Sequence, residues 1–542
     1  MKLNHVLKKT RAKYGSTFAF LILNFINTNS AQAESSYVSP PEKETLIINI
    51  SDSPKIPWDT IKAGVHTAET FSAAVHGSIT PMFELGSKNI SNERVLLDKY
   101  SCEQFICNAT LKKGIIFQNN REVNAYDLEF SLIRQLLSKD GSNFAKSILD
   151  DIVGIDNIDK ENIKYITYNK LSYPINVLEG IKVIDNYNIQ FKLKRENKVF
   201  FKRISDGRLP IVPIEELEND FLKWKKYPVG FGPYKVTGAD FKNFEFYLQK
   251  VSEEDNIPKY VKLIYGSEKG GDIKILLSEP KRVPNEDDKV IIFANVHNNA
   301  GFLYNYQTKL ARNKNFRKAI SLALDRNKIA EASAFKELQA EDQMLPNSSW
   351  QQEYRSEIKI QTQNVKEAKR LLNLVPHHLW KNKVFQVPTY WGYSDNVNTL
   401  PYVIEIKKQL KEIGIETNFL DTDNAYDKFT EGDTNVLYFT GFGFSYKDPN
   451  RNFGHFRKGS YFTYESPNDP KFEELYQLST KYVKETTKYT KLLSQYFTEN
   501  NVMTIIFNQR MSLSFNSKKI ISLGNQYNGI RLAIWEIKLK ED

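Results

Sequence analysis

Short strand-like runs alternate with amphipathic helical stretches along most of this 542-residue chain, and the alternation never settles into a repeat. That pattern limits the fold more than any other feature. Strands interleaved with helices define an α/β or mixed α+β protein, with mixed sheets covered by helices. A chain this long exceeds what one hydrophobic core serves, so two or more lobes are expected. Glu44 to Ile50 reads as a buried strand, and Thr67 to Phe83 carries Ala, Phe and Val at helical spacing, ending near Pro81. Asn124 to Leu137 predicts an amphipathic helix with Asn124 as its N-cap and Leu128, Leu132, Ile133, Leu136 and Leu137 on one face. Val183 to Leu193 predicts two short strands around an Asp-Asn turn. Lys289 to Asn295 and Gly301 to Asn305 read as strands crossing between lobes, and Asn315 to Ala330 as a helix. Asn364 caps a helix that Pro376 stops, Gly414 terminates the Pro401 helix, and Asp469-Pro470 opens a long one. Met503 to Phe507 is again strand-like.

The N-terminus reads as an export signal. Lys2, Lys8, Lys9, Arg11 and Lys13 form an acid-free positive region, Thr17 to Ile26 is apolar, and Ala31-Gln32-Ala33 supplies a small-x-small cleavage site. The apolar stretch is short for a permanent membrane span, although an uncleaved anchor is the alternative. No Cys lies near the cleavage site, which argues against a lipoprotein anchor and for a soluble periplasmic protein cleaved after Ala33. Removing residues 1–33 removes five positive charges, so the formal charge falls from +10 to +5 (10 − 5) on the remaining 509 residues (542 − 33). That mild surplus is interspersed with acids, and no nucleic-acid partner is indicated.

The chain has two cysteines, Cys102 and Cys107. In an oxidising compartment an even count close together reads as a disulfide, here stapling a hairpin between Val95 and Leu111. A metal or redox pair is the rival reading; the spacing is not C-x-x-C, and no second ligand pair accompanies it.

Four segments in a fixed order carry a resemblance. They are Leu111-Lys-Lys-Gly-Ile-Ile-Phe117, Val229-Gly-Phe-Gly-Pro-Tyr234, Asn315-Phe-Arg-Lys-Ala-Ile320 with Asp325-Arg326, and Gly441-Phe-Gly-Phe-Ser-Tyr-Lys-Asp-Pro449, with Lys408 to Ile415 as a further element. Two glycines before a fixed proline suit a tight backbone turn at 230–233. Together these segments resemble the family 5 extracellular solute-binding proteins of ABC importers, which bind oligopeptides, dipeptides and nickel. The resemblance implies an α/β two-lobed periplasmic-binding-protein clamp of the large type II subclass, with an additional α+β domain. It implies lobe I at about 44–75, 180–290 and 500–542, the extra domain at 76–180, and lobe II at 291–500. A ligand would sit between the lobes and be enclosed on hinge closure. The implied partners are an oligopeptide or similar small solute and the permease subunits of an ABC transporter, with the protein itself a monomer and no enzyme.

In peptide-binding members an aspartate four residues after the glycine of the 441 segment pairs with the peptide's amino group, as a desolvated ammonium requires. This chain has Ser445 at that place. Either another acid such as Asp395 or Asp423 takes over, or the ligand lacks a free amine, or transport has been lost. Trp391 and Tyr393, with Phe442, Phe444 and Tyr446, are candidate aromatic walls, and equally candidate core. Arg451 is placed to meet a ligand carboxylate with two parallel donors, or to be a solvated surface residue. No metal ligand set and no cofactor site is read from the chain. The histidines are scattered, and no H-E-x-x-H, G-x-S-x-G or phosphate loop occurs. A metal chelate, a sugar, or a sensor or scaffold role on the same fold are the alternatives to peptide import.

Overall fold

The computed structural model describes residues 40–540 apart from short internal stretches, among them 277–287, 390–396, 444–448 and 525–531. The export signal and its cleavage site, residues 1–33, lie outside the described residues.

Two long antiparallel strands, Asp288–Tyr304 and Thr504–Asn516, organise the molecule. They pair from Asp288 opposite Asn516 to Phe302 opposite Thr504. At one end Ile273–Leu276 adds to the outer edge of Thr504–Asn516, followed by Thr45–Ile50, Tyr260–Tyr265, Glu245–Lys250 and Tyr234–Asp240. At the other end Leu437–Gly443 adds to Asp288–Tyr304, followed by Val384–Thr389 and Glu416–Asp421. One sheet thus serves two cores. The first gathers Leu46, Ile48, Phe246, Leu263, Ile275, Leu513 and Trp535. The second gathers Phe302, Phe316, Ile320, Leu410, Phe419, Phe439 and Phe507. Each large apolar side chain so buried contributes about 1.5–3 kcal/mol before conformational entropy is subtracted. Between the cores the ladder breaks register, at Ile292/Val296 and again at Val296/Asn298, and a third break, at Ala300/Gly301, lies where the second core begins. The two strands read from sequence at Lys289 to Asn295 and Gly301 to Asn305 are one strand, Asp288–Tyr304, that carries these irregularities.

A four-stranded sheet stands apart from this one, in the order Leu97–Glu103, Ile106–Leu111, Asn188–Lys192, Ile181–Asp185. Its core includes Leu111, Leu128, Leu132, Ile189, Phe191, Phe200 and Ile204. Asn188–Lys192 pairs with Ile106–Thr110, and Ile181–Asp185 pairs in turn with 188–191, so both strands belong to this sheet.

Local chemistry explains most helix ends. Asn124 Oδ1 accepts from the Tyr126 and Asp127 amides, and Asp127 returns a bond to the Asn124 amide at 3.0 Å, a complete capping box. Asn364 caps Val365–Asn373, and Asp469 accepts from the Lys471 and Phe472 amides at the head of Pro470–Lys481. Residues 315–330 form two helices, Lys314–Ala323 and Arg326–Glu331, because Asp325 leaves the first and caps the second. The helix read over 67–83 covers Val65–Val75; Gly77, at φ +73°, turns the chain out of it. Arg317 and Arg326, both buried, donate to the carbonyls of Asn500, Asn501 and Ile505, so the Asn315 segment fastens its helices to the chain entering Thr504–Asn516.

The Gly-Phe-Gly-Pro-Tyr segment works differently from its sequence reading. Neither Gly230 nor Gly232 has a positive φ. What requires glycine is contact: a Cβ on Gly230 would lie 2.2 Å from the Val75 carbonyl oxygen and 2.4 Å from the His76 Cα. Gln118 completes the joint, donating to the carbonyls of Val75, Gly232 and Tyr234. Gly230→Ala is expected to cost about 1–3 kcal/mol in urea unfolding. Gly270→Ala, with no atom within 4 Å of its Cβ, should leave the midpoint unchanged.

His76 is 1% exposed, stacked on Trp224 with ring centroids 5.7 Å apart and edge-on to Phe71. Burial, assisted by the charge of Arg134, lowers its pKa to about 3. The folded state thus keeps His76 neutral while the unfolded chain takes up a proton near pH 6.5. Its contribution is present above that pH and is lost as pH falls, by about 1.4 kcal/mol per unit. His76→Phe should reduce the pH slope of unfolding free energy between pH 6 and 4.5 by about one proton; an unchanged slope refutes this assignment.

Candidate functional site

A cavity of about 860 Å³ opens between residues 105–203 on one side and 451–480 on the other. The wall facing 451–480 is thus built on the four-stranded sheet and its helices. A volume of this order suits a small-molecule guest.

The first wall is organised by an ion cluster. Arg203 donates to Asp151 at 2.9 Å and to Asp150 at 2.8 Å, while Arg195 grips Asp151 through its Nε. Asn197 adds a bond to Asp151 at 2.8 Å, and the Ser147 carbonyl accepts from Arg203 at 2.6 Å. Burial works against the charge on Asp151, but Arg203 and Arg195 outweigh it and hold the carboxyl below the usual range. Burial, together with the charge of Asp151, pushes Asp150 the other way. Adjacent carboxylates tolerate one another here because two guanidiniums are held between them.

The hairpin of Leu97–Glu103 and Ile106–Leu111 reaches the cavity with its tip. Cys102 and Cys107 stand directly opposite each other and are joined by a disulfide. The turn residues are Gln104, at φ 53°, and Phe105. Phe105 lines the cavity and is 48% exposed, while its carbonyl accepts from the Leu193 amide at 2.7 Å, beside Lys194 and Arg195.

The second wall begins where strand Leu437–Gly443 ends. A Cβ on Gly441 would lie 1.9 Å from the Asn299 carbonyl oxygen, so this close crossing demands glycine. The Phe442 amide donates to Asn299 Oδ1 at 3.2 Å. The Phe442 ring is half-buried against His455, centroids 5.1 Å apart, and Phe456. His455 lines the cavity; burial first, then the charges of Arg451 and Arg203, lower its pKa to about 3 and keep it neutral. Tyr476 receives guanidiniums from both walls, Arg457 at 4.6 Å and Arg195 at 5.6 Å from its ring centroid.

Arg451, half-buried at the start of helix Arg451–Gly454, lines this cavity and lowers the pKa of the buried Asp206 together with Arg208. The other residues expected to touch ligand, Trp391, Tyr393, Phe444, Ser445 and Tyr446, lie outside the described residues, as do Asp395 and Asp423. Sequence reading missed Asp150, Asp151, Arg195, Arg203 and Tyr476. The Asp-Asp pair was the visible signal, but nothing local ties it to arginines about 50 positions away. Among the described residues no group of three His, Cys, Asp or Glu side chains is placed to hold a metal ion. No described helix is long and apolar enough to cross a membrane.

Two cores on one shared sheet, a further sheet beside them and an open cavity between that sheet and residues 451–480 make up the fold of the two-lobed periplasmic binding proteins. Residues 103–245 and 267–464 match the sequence model of the bacterial extracellular solute-binding proteins, family 5 Middle, and the chain belongs to that family. No curated protein is recognisably similar in sequence. Among solved structures, the chain is similar to OppA of Haemophilus influenzae in complex with RPPGFSPFR, with 14% identity, TM-score 0.72, and coverage of 93% of this chain and 100% of that one. It is similar to the binding protein AgaA of A. tumefaciens R10 in complex with agropinic acid, with 17% identity, TM-score 0.71, and coverage of 92% and 99%. It is also similar to NikZ of Campylobacter jejuni in complex with Ni(L-His), with 14% identity, TM-score 0.67, and coverage of 92% and 100%.

Asp151→Asn is expected to cost about 3–5 kcal/mol, because it leaves Arg203 buried beside a neutral amide. Urea unfolding at neutral pH checks this, with the exposed pair Lys471–Glu474 as the contrast: Lys471→Ala should change stability by less than about 1 kcal/mol.

Proposed function

We propose that this protein is the solute-binding component of an ABC importer. It captures an oligopeptide or related small solute in the periplasm and delivers it to the permease subunits without chemical change. In this reading the export signal is cleaved after Ala33 and the protein acts as a monomer. Lobe I takes 44–75, about 213–290 and 500–542, and lobe II takes 291–500. The extra domain runs from 76 to about 212, since 181–192 pair with its sheet and Phe200, Ile204 and Leu209 fill its core.

The observation that carries the reading is the ladder between Asp288–Tyr304 and Thr504–Asn516. Two cores hang from its two ends, and two of its three register breaks, at Ile292/Val296 and Val296/Asn298, lie between them, where a hinge for closure on a guest belongs. Family membership supplies the rest of the support. Ser445, standing where peptide-binding relatives carry an amine-pairing aspartate, favours a second reading in which the guest has no free amino group: a blocked peptide, a sugar or a chelate.

Thermal unfolding of the processed protein with a library of free peptides, N-blocked peptides, sugars and nickel chelates tests both. A ligand at a hundred times its dissociation constant adds about 2.7 kcal/mol and raises the midpoint by several degrees. A shift with free peptides supports the first reading. A shift confined to the other classes supports the second, and turnover of any of them defeats both.

A further inference from the structure

Away from the cavity, the core holds a cation that no carboxylate meets. Arg134, on helix Ala125–Leu137, is fully buried, and no acid among the described residues forms an ion pair with it. Its Nη1 donates to the Phe221 carbonyl at 2.7 Å. Its Nε and Nη2, the side of a guanidinium that takes two oxygens at once, have no acceptor among the described residues. Asp220 is the described acid whose charge reaches it. That carboxylate is half turned to solvent, and its oxygens are engaged elsewhere. Oδ1 accepts from the Leu222 and Lys223 amides at 2.9 Å, and Oδ2 lies 3.8 Å from Lys223. Burial outweighs the attraction of Asp220 and lowers the Arg134 pKa to about 10.

Two more polar groups stand beside it. Trp224, three residues after Phe221, is buried, and its Nε1 has no acceptor among the described residues. His76 stacks on that indole within reach of the Arg134 charge, and neither of its ring nitrogens has a hydrogen-bond partner there. Phe130 and Phe221 pack alongside, ring centroids 5.3 Å apart. The unmet groups are three N–H of Arg134, one of Trp224 and one of neutral His76, against one acceptor, the second His76 nitrogen. Water brings donors as readily as acceptors. An anion brings acceptors only, together with the negative charge that a buried guanidinium lacks.

We infer that Arg134, Trp224 and His76 form an interior site for a small monovalent anion, a halide or an oxyanion no larger than nitrate. The anion lies against the Nε and Nη2 side of Arg134, with the Trp224 N–H as a further donor. It ties the helix of Leu128 and Leu132, in the core of the four-stranded sheet, to the end of helix Val65–Val75, which packs in the first core. None of the three residues lines the solute cavity, so the inference stands apart from the importer reading. An anion here offsets the charge of Arg134 on His76, so the His76 proton count belongs to halide-free buffer.

Thermal unfolding of the processed protein in sodium isethionate, whose anion is too large to enter, with rising sodium bromide at constant ionic strength tests it. The midpoint should rise by about 1 °C for each tenfold increase in bromide above half-saturation. Arg134→Met, which keeps an unbranched apolar stem, should abolish that response. Trp224→Phe, which keeps a ring and removes the N–H, should weaken bromide about tenfold, the value of one charge-assisted bond, and tests the point if Arg134→Met fails to fold. Crystals grown from bromide should show anomalous scattering within about 3.5 Å of the Arg134 Nε or Nη2 and of the Trp224 Nε1. No bromide response, a response that both variants keep, or water without anomalous signal at this point overturns the inference. An anomalous peak with no midpoint response identifies an adventitious ion only and overturns it as well.

Discussion

The hydrogen-bonded ladder between Asp288–Tyr304 and Thr504–Asn516 is the constraint on which everything else depends. Thr504–Asn516 takes Ile273–Leu276 beside residues 512–515 and the short strand Leu338–Ala340 beside 507–509, while Asp288–Tyr304 takes Leu437–Gly443 beside 298–304, so the two cores are joined through backbone that both must share. A regular ladder would be stiff throughout. Here the partners shift at three places between Ile292 and Gly301, where an unpaired residue bends a strand and raises its twist. Stiffness on either side and irregularity between concentrate deformation in one place. Arg317 and Arg326 reinforce the stiff part, because their donors occupy carbonyls at Asn500, Asn501 and Ile505, immediately before and within the second strand.

The same residue type thus does two kinds of work. Arg317 and Arg326 are sealed in and spend most of their donors on backbone carbonyls, each from its own helix. Arg195 and Arg203 spend theirs on Asp151 and Asp150, a cluster that also shapes a cavity wall. Such a buried cluster is weak evidence for stability, since desolvation of each ion consumes most of the Coulombic gain. Its geometric consequence is firmer. Asp151 holds two guanidiniums in one place, and one of them, Arg195, extends to Tyr476 on the opposite wall. Cationic faces on that ring from Arg195 and Arg457 couple the two sides.

What was legible in the sequence was what is decided locally. Asn124, Asn364, Asp469 and Gly414 announce helix ends because the atoms they bond lie within a turn. The hairpin around Cys102 and Cys107 was legible for the same reason. Two further features were not. The pairing of 181–192 depends on which distant strand offers a free edge, and the chain's own alternation is indifferent to that choice. The glycines of 230–232 looked like turn residues and proved to be contact residues, because the helix end that presses on them lies more than 150 positions away. The cavity was least legible. Arg451 could be singled out from its neighbourhood, but Arg203 meets Asp151 across 52 positions with no spacing rule to predict it.

Solved structures that hold RPPGFSPFR, agropinic acid and Ni(L-His) share this fold with the chain at 14–17% identity. The backbone arrangement therefore does not choose the cargo; the side chains facing the guest do. The cavity lined by Asp150, Asp151, Arg203, Arg451 and His455 has side chains fixed in place by one another. Asp151 holds Arg195 and Arg203 in one place, and burial with the charges of Arg451 and Arg203 keeps His455 neutral. Groups held in place before a guest arrives lose little freedom on binding it, so affinity depends on how well the guest fits an arrangement the protein has already fixed.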